Sequence, residues 1–313
     1  MKKIIPLLSL MVLVAFAVGG CACGEQLGPA PSSPPPPQPT SEPAEPTTAP
    51  VEPAATEPAP TETAPTDVPT PEVLLPLPPD PQKIEFEAED GQKLVGTYYP
   101  AEVNPAPLVV LMHWAPGDES DWVAIAAWLQ NRGLEIAPGG QPWLDPSWFP
   151  PMLEGQSFAV FSFTFRGCEG GCESRDFESW LLDAKAAMQT AKELDGVNPE
   201  QIATIGASIG ADGAVDACGA GCLGALSFSP GGFLTVPYDE AVAVIDGAGK
   251  PAWCLAAEED PGSAPACQSA SGDHYRMEMY SGRDHGMELI KPDIEPNTLE
   301  IVLEFLQLVF ALD

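Results

Sequence analysis

The amino-acid sequence predicts an α/β fold: a mostly parallel central sheet with an N-terminal antiparallel hairpin and helices on both faces. Three observations lead there. Strand-like and helix-like stretches alternate through residues 83–313, and such alternation calls for parallel strands joined by right-handed crossovers. Residues 108–113 and 158–164 are continuous, predominantly apolar runs, as expected of strands covered on both faces. A β-prone run at 201–205 leads into Gly206-Ala207-Ser208-Ile209-Gly210 and then into small residues at 211–215. That is a strand joined to a tightly packed helix through a G-x-S-x-G turn.

Taken in chain order, Lys2 and Lys3 precede an apolar run at 4–18 that is short for a permanent membrane span. Residues 1–20 therefore read as an export signal. The run closes on Val18-Gly19-Gly20-Cys21, which resembles the bacterial lipobox. That resemblance implies cleavage before Cys21, lipidation of Cys21, and anchorage at the outer face of the bacterial cell membrane. An ordinary secretory signal with a bystander cysteine is the alternative. Residues 21–82 form a tether rich in Pro, Thr, Ala and Glu with few large apolar residues. Such a composition cannot offset its ordering entropy and is expected to be disordered. At ~3.1 Å per residue, the stretch from 26 to 82 could reach on the order of 170 Å and hold the folded domain off the membrane.

Residues 83–313 are expected to form one α/β domain. Residues 83–89 and 93–99 alternate polar and apolar around Asp90-Gly91, the pattern of a hairpin. After the two apolar runs, further short strands are expected at 202–205, 223–228, 252–257 and 275–280. Helical patterns lie between them: 121–132, opened by the acidic cap Asp121; 176–194, stopped by Asp195-Gly196; and 296–312, with proline at its start.

The formal charge of the chain is −32, and residues 83–313 carry 36 acidic against 11 basic side chains. A surface this negative repels nucleic acid and anionic headgroups and argues against a polyanionic substrate. A solubility adaptation accounts for it more simply than steering of cationic substrates. The domain also holds Cys168, Cys172, Cys218, Cys222, Cys254 and Cys267. An even number in an exported chain suggests disulfides. Local pairing, Cys168–Cys172, Cys218–Cys222 and Cys254–Cys267, is the expectation. A four-thiolate zinc site built from the two Cys-x-x-x-Cys pairs is the lesser alternative; export and the lack of neighbouring histidines favour no metal.

A serine on a strained strand-to-helix turn projects its hydroxyl clear of the sheet and leaves the following N–H, here that of Ile209, aimed where an oxyanion would form. Such a serine needs a base, and the base needs an acid to orient it. Of the three histidines, His274 precedes the strand at 275–280, at the wrong end of the sheet. His113 ends a strand at the correct edge but precedes the serine. His285 follows the last strand in a loop at the carboxyl edge, where ligands of such sheets bind, and is assigned as base. The acid is expected after residue 257, where Glu258, Glu259 and Asp260 crowd before Pro261-Gly262. Asp260 is preferred, with Glu259 next. Asp284 is poorly placed, because neighbouring side chains on extended backbone diverge.

The order Ser208, Asp260, His285 resembles the α/β-hydrolase superfamily, and most its dienelactone-hydrolase and small-esterase branches. Leu111-Met112-His113-Trp114-Ala115 is similar to the strand-end segment that carries the second oxyanion donor, with Trp114 where glycine is usual; the resemblance assigns the Ala115 N–H to that role. Phe165-Arg166-Gly167 resembles the family's Arg-Gly turn, with Cys168 where histidine is common. Val197-Asn198-Pro199-Glu200-Gln201-Ile202 resembles the approach to the serine turn. His113 is then a structural residue that shapes the oxyanion loop. Serine at 208 excludes the family members that use a cysteine nucleophile. The resemblance implies a serine hydrolase of small acyl or ester substrates, working without a cofactor. A non-catalytic binding lipoprotein and an acyltransferase remain as alternatives. The aromatic insertion at 142–151 joins a helix to the start of the next strand, so it is expected to pack against the far edge of the sheet rather than near the site.

Overall fold

The chain first lays down β1 (Gln82–Glu87) and β2 (Lys93–Tyr99), joined around Asp90-Gly91 as the alternation predicts. It continues through β3 (Ala106–Met112), α1 (Val123–Gln130), β4 (Ala159–Phe163), α2 (Phe177–Ala191), β5 (Val197–Ala207) and α3 (Ile209–Asp216). It closes with β6 (Cys222–Phe228), α4 (Tyr238–Asp246), β7 (Ala252–Ala257), α5 (Ser263–Ser269), β8 (Tyr275–Tyr280) and α6 (Thr298–Phe310). This computed structural model describes residues 75–312 except Ser174. The export segment 1–20, Cys21 and the tether up to residue 74 lie outside the described residues. The last residues of the expected tether that are described, from 75 onward, lie along the domain: Gln130 donates to Pro79 O at 2.8 Å and Arg132 to Leu77 O at 2.7 Å.

All eight strands belong to one sheet in the order β1-β2-β4-β3-β5-β6-β7-β8. β2 runs antiparallel to both its neighbours, and every pairing from β4 to β8 is parallel. Leu108 to Met112 are entirely buried, because helices cover both faces. Each such side chain contributes about 1.5–3 kcal/mol of burial. One face packs Trp180, Ile209 and Tyr238 from α2, α3 and α4; the other packs Ile125, Leu299 and Phe305 from α1 and α6.

Helix ends differ from expectation in instructive ways. Asp121 does not cap the first helix. A 3₁₀ turn at Glu119–Trp122 starts it, capped by Asp118, whose side chain accepts from the Ser120 N–H at 2.9 Å. Asp121 is left free for another task. Asp176 does cap α2, at 3.4 Å from the Ser179 N–H. Pro296 stands just before α6, whose cap is Asn297, accepting from the Leu299 N–H at 2.9 Å. Helices α4 and α5 carry no sequence pattern strong enough to predict them.

Three disulfides join Cys168–Cys172, Cys218–Cys222 and Cys254–Cys267. The thiolates of a zinc site are thereby consumed, and among the described residues no cluster of His, Cys, Asp and Glu could hold a metal. Nor, among them, is any helix long and apolar enough to cross a membrane. Arg166 after β4 donates to Asp183 of α2 at 2.6 Å and to Asp90 of the hairpin turn at 2.5 Å, tying three elements together just behind the site.

Candidate active site

The site grows from the end of β5. Ser208 is the N-cap of α3 and holds φ 52 and ψ −115, a conformation that costs a non-glycine residue roughly 1–3 kcal/mol. Its surroundings compel it. The Ser208 N–H donates to Phe228 O at 2.8 Å, and the Ala211 N–H donates to Ser208 O at 2.9 Å. The flanking glycines are required for space. A Cβ at Gly206 would stand 1.9 Å from Gly210 O, and one at Gly210 would stand 2.2 Å from Met112 O. Helix α3 therefore crosses directly over the end of β3, as the small residues around the serine suggest.

From this turn the Ser208 hydroxyl reaches the loop after β8. Ser208 Oγ lies 2.9 Å from His285 Nε2, and His285 Nδ1 lies 2.6 Å from Asp260 Oδ2. The other oxygen of Asp260 accepts the Gly262 and Ser263 N–H groups at 3.1 and 3.3 Å. Burial opposes ionisation of Asp260, but the hydrogen bonds from His285 and Ser263 outweigh it and hold its carboxyl below the ordinary value. Glu259 is exposed, whereas Asp260 is 5% exposed; that difference decides which of the two meets the imidazole. Asp284 pairs with Lys291. The far histidine, His274, bonds Asp246 at the opposite end of β8.

Ala115 and Ile209 both line a hollow of about 250 Å³ around Ser208, together with Phe177, Trp180, Phe233 and His285. The strand-end loop that carries Ala115 is held on two sides. Fully buried His113 donates from Nδ1 to Trp114 O at 2.7 Å and accepts the Phe165 N–H on Nε2 at 2.9 Å. Burial drives its pKa down to about 4, so the ring is neutral and in one tautomer. The Cys172 N–H donates to Ala115 O at 3.0 Å, so the Cys168–Cys172 loop grips the same segment.

One further residue, without a motif of its own in the sequence, shapes the site. Asp212, one turn into α3, accepts the backbone N–H groups of Gly231, Gly232 and Phe233 at 3.2, 3.1 and 2.6 Å. It thereby sets the Phe233 ring 6.3 Å from the His285 ring. Burial pushes its carboxyl up to about 7 in spite of those bonds. The available signal was a lone acid within a run of small residues.

The aromatic insertion corrects its expectation. Trp143 is buried and packs edge-on against Trp114 at 5.5 Å, at the same sheet edge as Ser208. The chain after α1 is long enough to return to that edge before the insertion begins. Asp121, not needed as a cap, accepts both indole N–H groups, from Trp114 at 2.8 Å and from Trp143 at 3.1 Å, which fixes the two rings against each other. Only the second half of the insertion turns away, with Phe149 against Trp128 of α1 at 5.8 Å.

No protein-family model matches the chain. The uncharacterized protein YfhR of Escherichia coli strain K12 is 26% identical over 151 residues, 46% of this chain and 44% of that protein. The chain thus spans under half the length of the curated relatives it matches. Among solved structures, the Pyrococcus furiosus esterase Pf2001 aligns at TM-score 0.52 and 15% identity, covering 74% of this chain and 91% of that one. The α/β hydrolase GrgF from Penicillium sp. sh18 aligns at TM-score 0.53 and 16% identity, covering 74% and 99%. With the parallel eight-stranded sheet, these likenesses establish the α/β-hydrolase fold.

Proposed function

We propose that the protein is a serine hydrolase that cleaves carboxylic esters through an acyl-enzyme. The observation that carries the reading is the continuous hydrogen-bonded chain from Ser208 Oγ through His285 to Asp260. His285 takes the Ser208 proton on Nε2 as Oγ attacks the ester carbonyl. Asp260 holds the Nδ1–H tautomer and stabilises the imidazolium that forms. The N–H groups of Ile209 and Ala115 receive the negative oxygen of the tetrahedral intermediate. His285 then returns the proton to the departing alkoxide, and water repeats the sequence to release the acid. The walls around Ser208 are mostly apolar, from Phe177, Trp180, Ile209 and Phe233, with Arg175 also lining the hollow, and they suit a small acyl group. No step needs a cofactor.

The same reading makes the protein an exported lipoprotein, anchored through Cys21 and displayed on its tether at the outer face of the bacterial membrane. Incorporation of a clickable fatty acid into the wild type, and its loss in Cys21→Ser, tests that part. The chemistry is tested with p-nitrophenyl acetate and a fluorophosphonate probe. Wild type should hydrolyse the ester and be labelled, while Ser208→Ala should lose both by several orders of magnitude. Wild-type turnover by Ser208→Ala would defeat the assignment. A wild type that neither turns over nor labels would favour a binding protein on a hydrolase fold.

A further inference from the structure

A second hollow, an open cleft of about 510 Å³, shares Pro116 with the hollow around the serine. Both hollows draw on the chain stretches 114–117 and 284–288. A Cβ on Gly286 would stand 3.1 Å from the Trp114 ring, so that indole sits directly against the histidine loop. With an acyl group seated against Phe177 and Phe233, Pro116 is the shared border across which the alcohol side of an ester would reach this cleft.

The walls there differ from the acyl hollow. Two indoles, Trp114 and Trp143, are locked by their bonds to Asp121. The charged groups are Asp121, Asp284 and Glu288 against a single lysine, Lys291, which is already paired with Asp284. Two carboxylates stand uncompensated beside aromatic surface. Glu288 is also held in place, accepting the His285 N–H at 3.0 Å. Aromatic faces and net negative charge together attract an organic cation more strongly than a neutral group of the same shape.

We infer that this cleft receives the alcohol portion of the ester and selects one that carries a positive charge, such as a quaternary or protonated amine. The inference rests on the ester-hydrolase reading and names its substrate class. In the acylation step the Ser208 Oγ–carbonyl bond forms and the bond from carbonyl to the amino-alcohol oxygen breaks. His285 passes the serine proton to that oxygen, so a neutral hydroxyl on a cationic alcohol leaves.

The test compares acetylcholine with 3,3-dimethylbutyl acetate, its uncharged isostere with the same acyl group. Wild type should prefer the cationic ester by about tenfold in kcat/KM, and the preference should shrink as salt is raised. Because Asp121 and Glu288 also support neighbouring groups, each variant is read by its own ratio of the two esters. That ratio should fall toward one in Asp121→Asn and in Glu288→Gln. Tetramethylammonium ion should compete with p-nitrophenyl acetate in the wild type. Equal kcat/KM for the two esters, or preference for the neutral one, overturns the inference while Ser208-dependent hydrolysis of both leaves the hydrolase reading standing. Absence of any Ser208-dependent ester hydrolysis overturns both.

Discussion

A single methyl group at position 210 should disable the site. An ideal Cβ built on Gly210 lies 2.2 Å from Met112 O, 2.5 Å from Met112 C and 2.6 Å from His113 O. Carbon and oxygen settle at about 3.3 Å, so α3 and the end of β3 must separate by about 1 Å. All three clashing atoms are backbone, and none can rotate away. The displacement acts on both halves of the machinery, because Ser208 starts α3 and the segment from His113 to Ala115 continues β3. Ser208 Oγ and His285 Nε2, now 2.9 Å apart, would be pulled out of register. A misplacement of this size costs about 10²-fold in rate, and overpacking costs about 1–3 kcal/mol in stability. Gly210→Ala should therefore lower kcat on p-nitrophenyl acetate by about 10²-fold and lower the urea midpoint. Gly133→Ala is the matched control. Gly133 has φ +71 with nothing within 4 Å of a Cβ, so the change should cost only backbone strain of about 1–2 kcal/mol with kcat unaltered. Gly210→Ala with wild-type kcat and midpoint would refute the steric reasoning from which the serine turn was built.

Three other outcomes follow from the same contacts. Asp260→Asn should reduce kcat by about 10²–10⁴-fold, because an amide no longer favours the Nδ1–H tautomer, whereas exposed Glu259→Gln should leave kcat near wild type; the reverse order would move the acid. The Cys168–Cys172 bond closes a five-residue loop, worth about 2 kcal/mol by chain entropy, and its Cys172 N–H holds Ala115 O at 3.0 Å. The double variant Cys168→Ser/Cys172→Ser should melt lower and lose about tenfold in kcat with little change in KM, and an unchanged kcat would free the oxyanion loop from that clamp. Burial, with Asp212 nearby, raises Asp216 to about 7. The unfolded chain releases this proton near pH 4 and the folded chain only near 7, so this group's contribution to stability is fully present below about pH 4 and is lost as pH rises to about 7. Asp216→Asn should flatten the fall by an amount on the order of a few kcal/mol, measured as urea midpoints at pH 4 and pH 8.

The elements legible in the sequence were those whose signal is local. Apolar runs covered on two faces became β3 and β4, the alternating pair became the hairpin, and the glycine spacing around Ser208 became the turn, with its residues at the positions expected. Helices α4 and α5 were missed, being short and lacking caps strong enough to register. Asp212 was missed because its work is done on residues 231–233, some twenty positions away. The insertion at 142–151 was assigned to the wrong edge, since the path of the long link before it depends on what the indoles pack against rather than on the link's own residues.

The chemistry available to this chain was written in residue type and order: a serine between two glycines, one histidine after the last strand, acids after the strand before it, and cysteines spaced for local bridges. Periodicity and spacing carry that information because they act within a few residues along the backbone. Which of three adjacent acids meets the imidazole, where Asp121 spends its carboxylate, and whether a second hollow borders the one around the serine are set by contacts between segments far apart in the chain. Those contacts depend on shape and on partners competing for the same buried space, and they come into being only when the sheet brings its carboxyl ends to one edge.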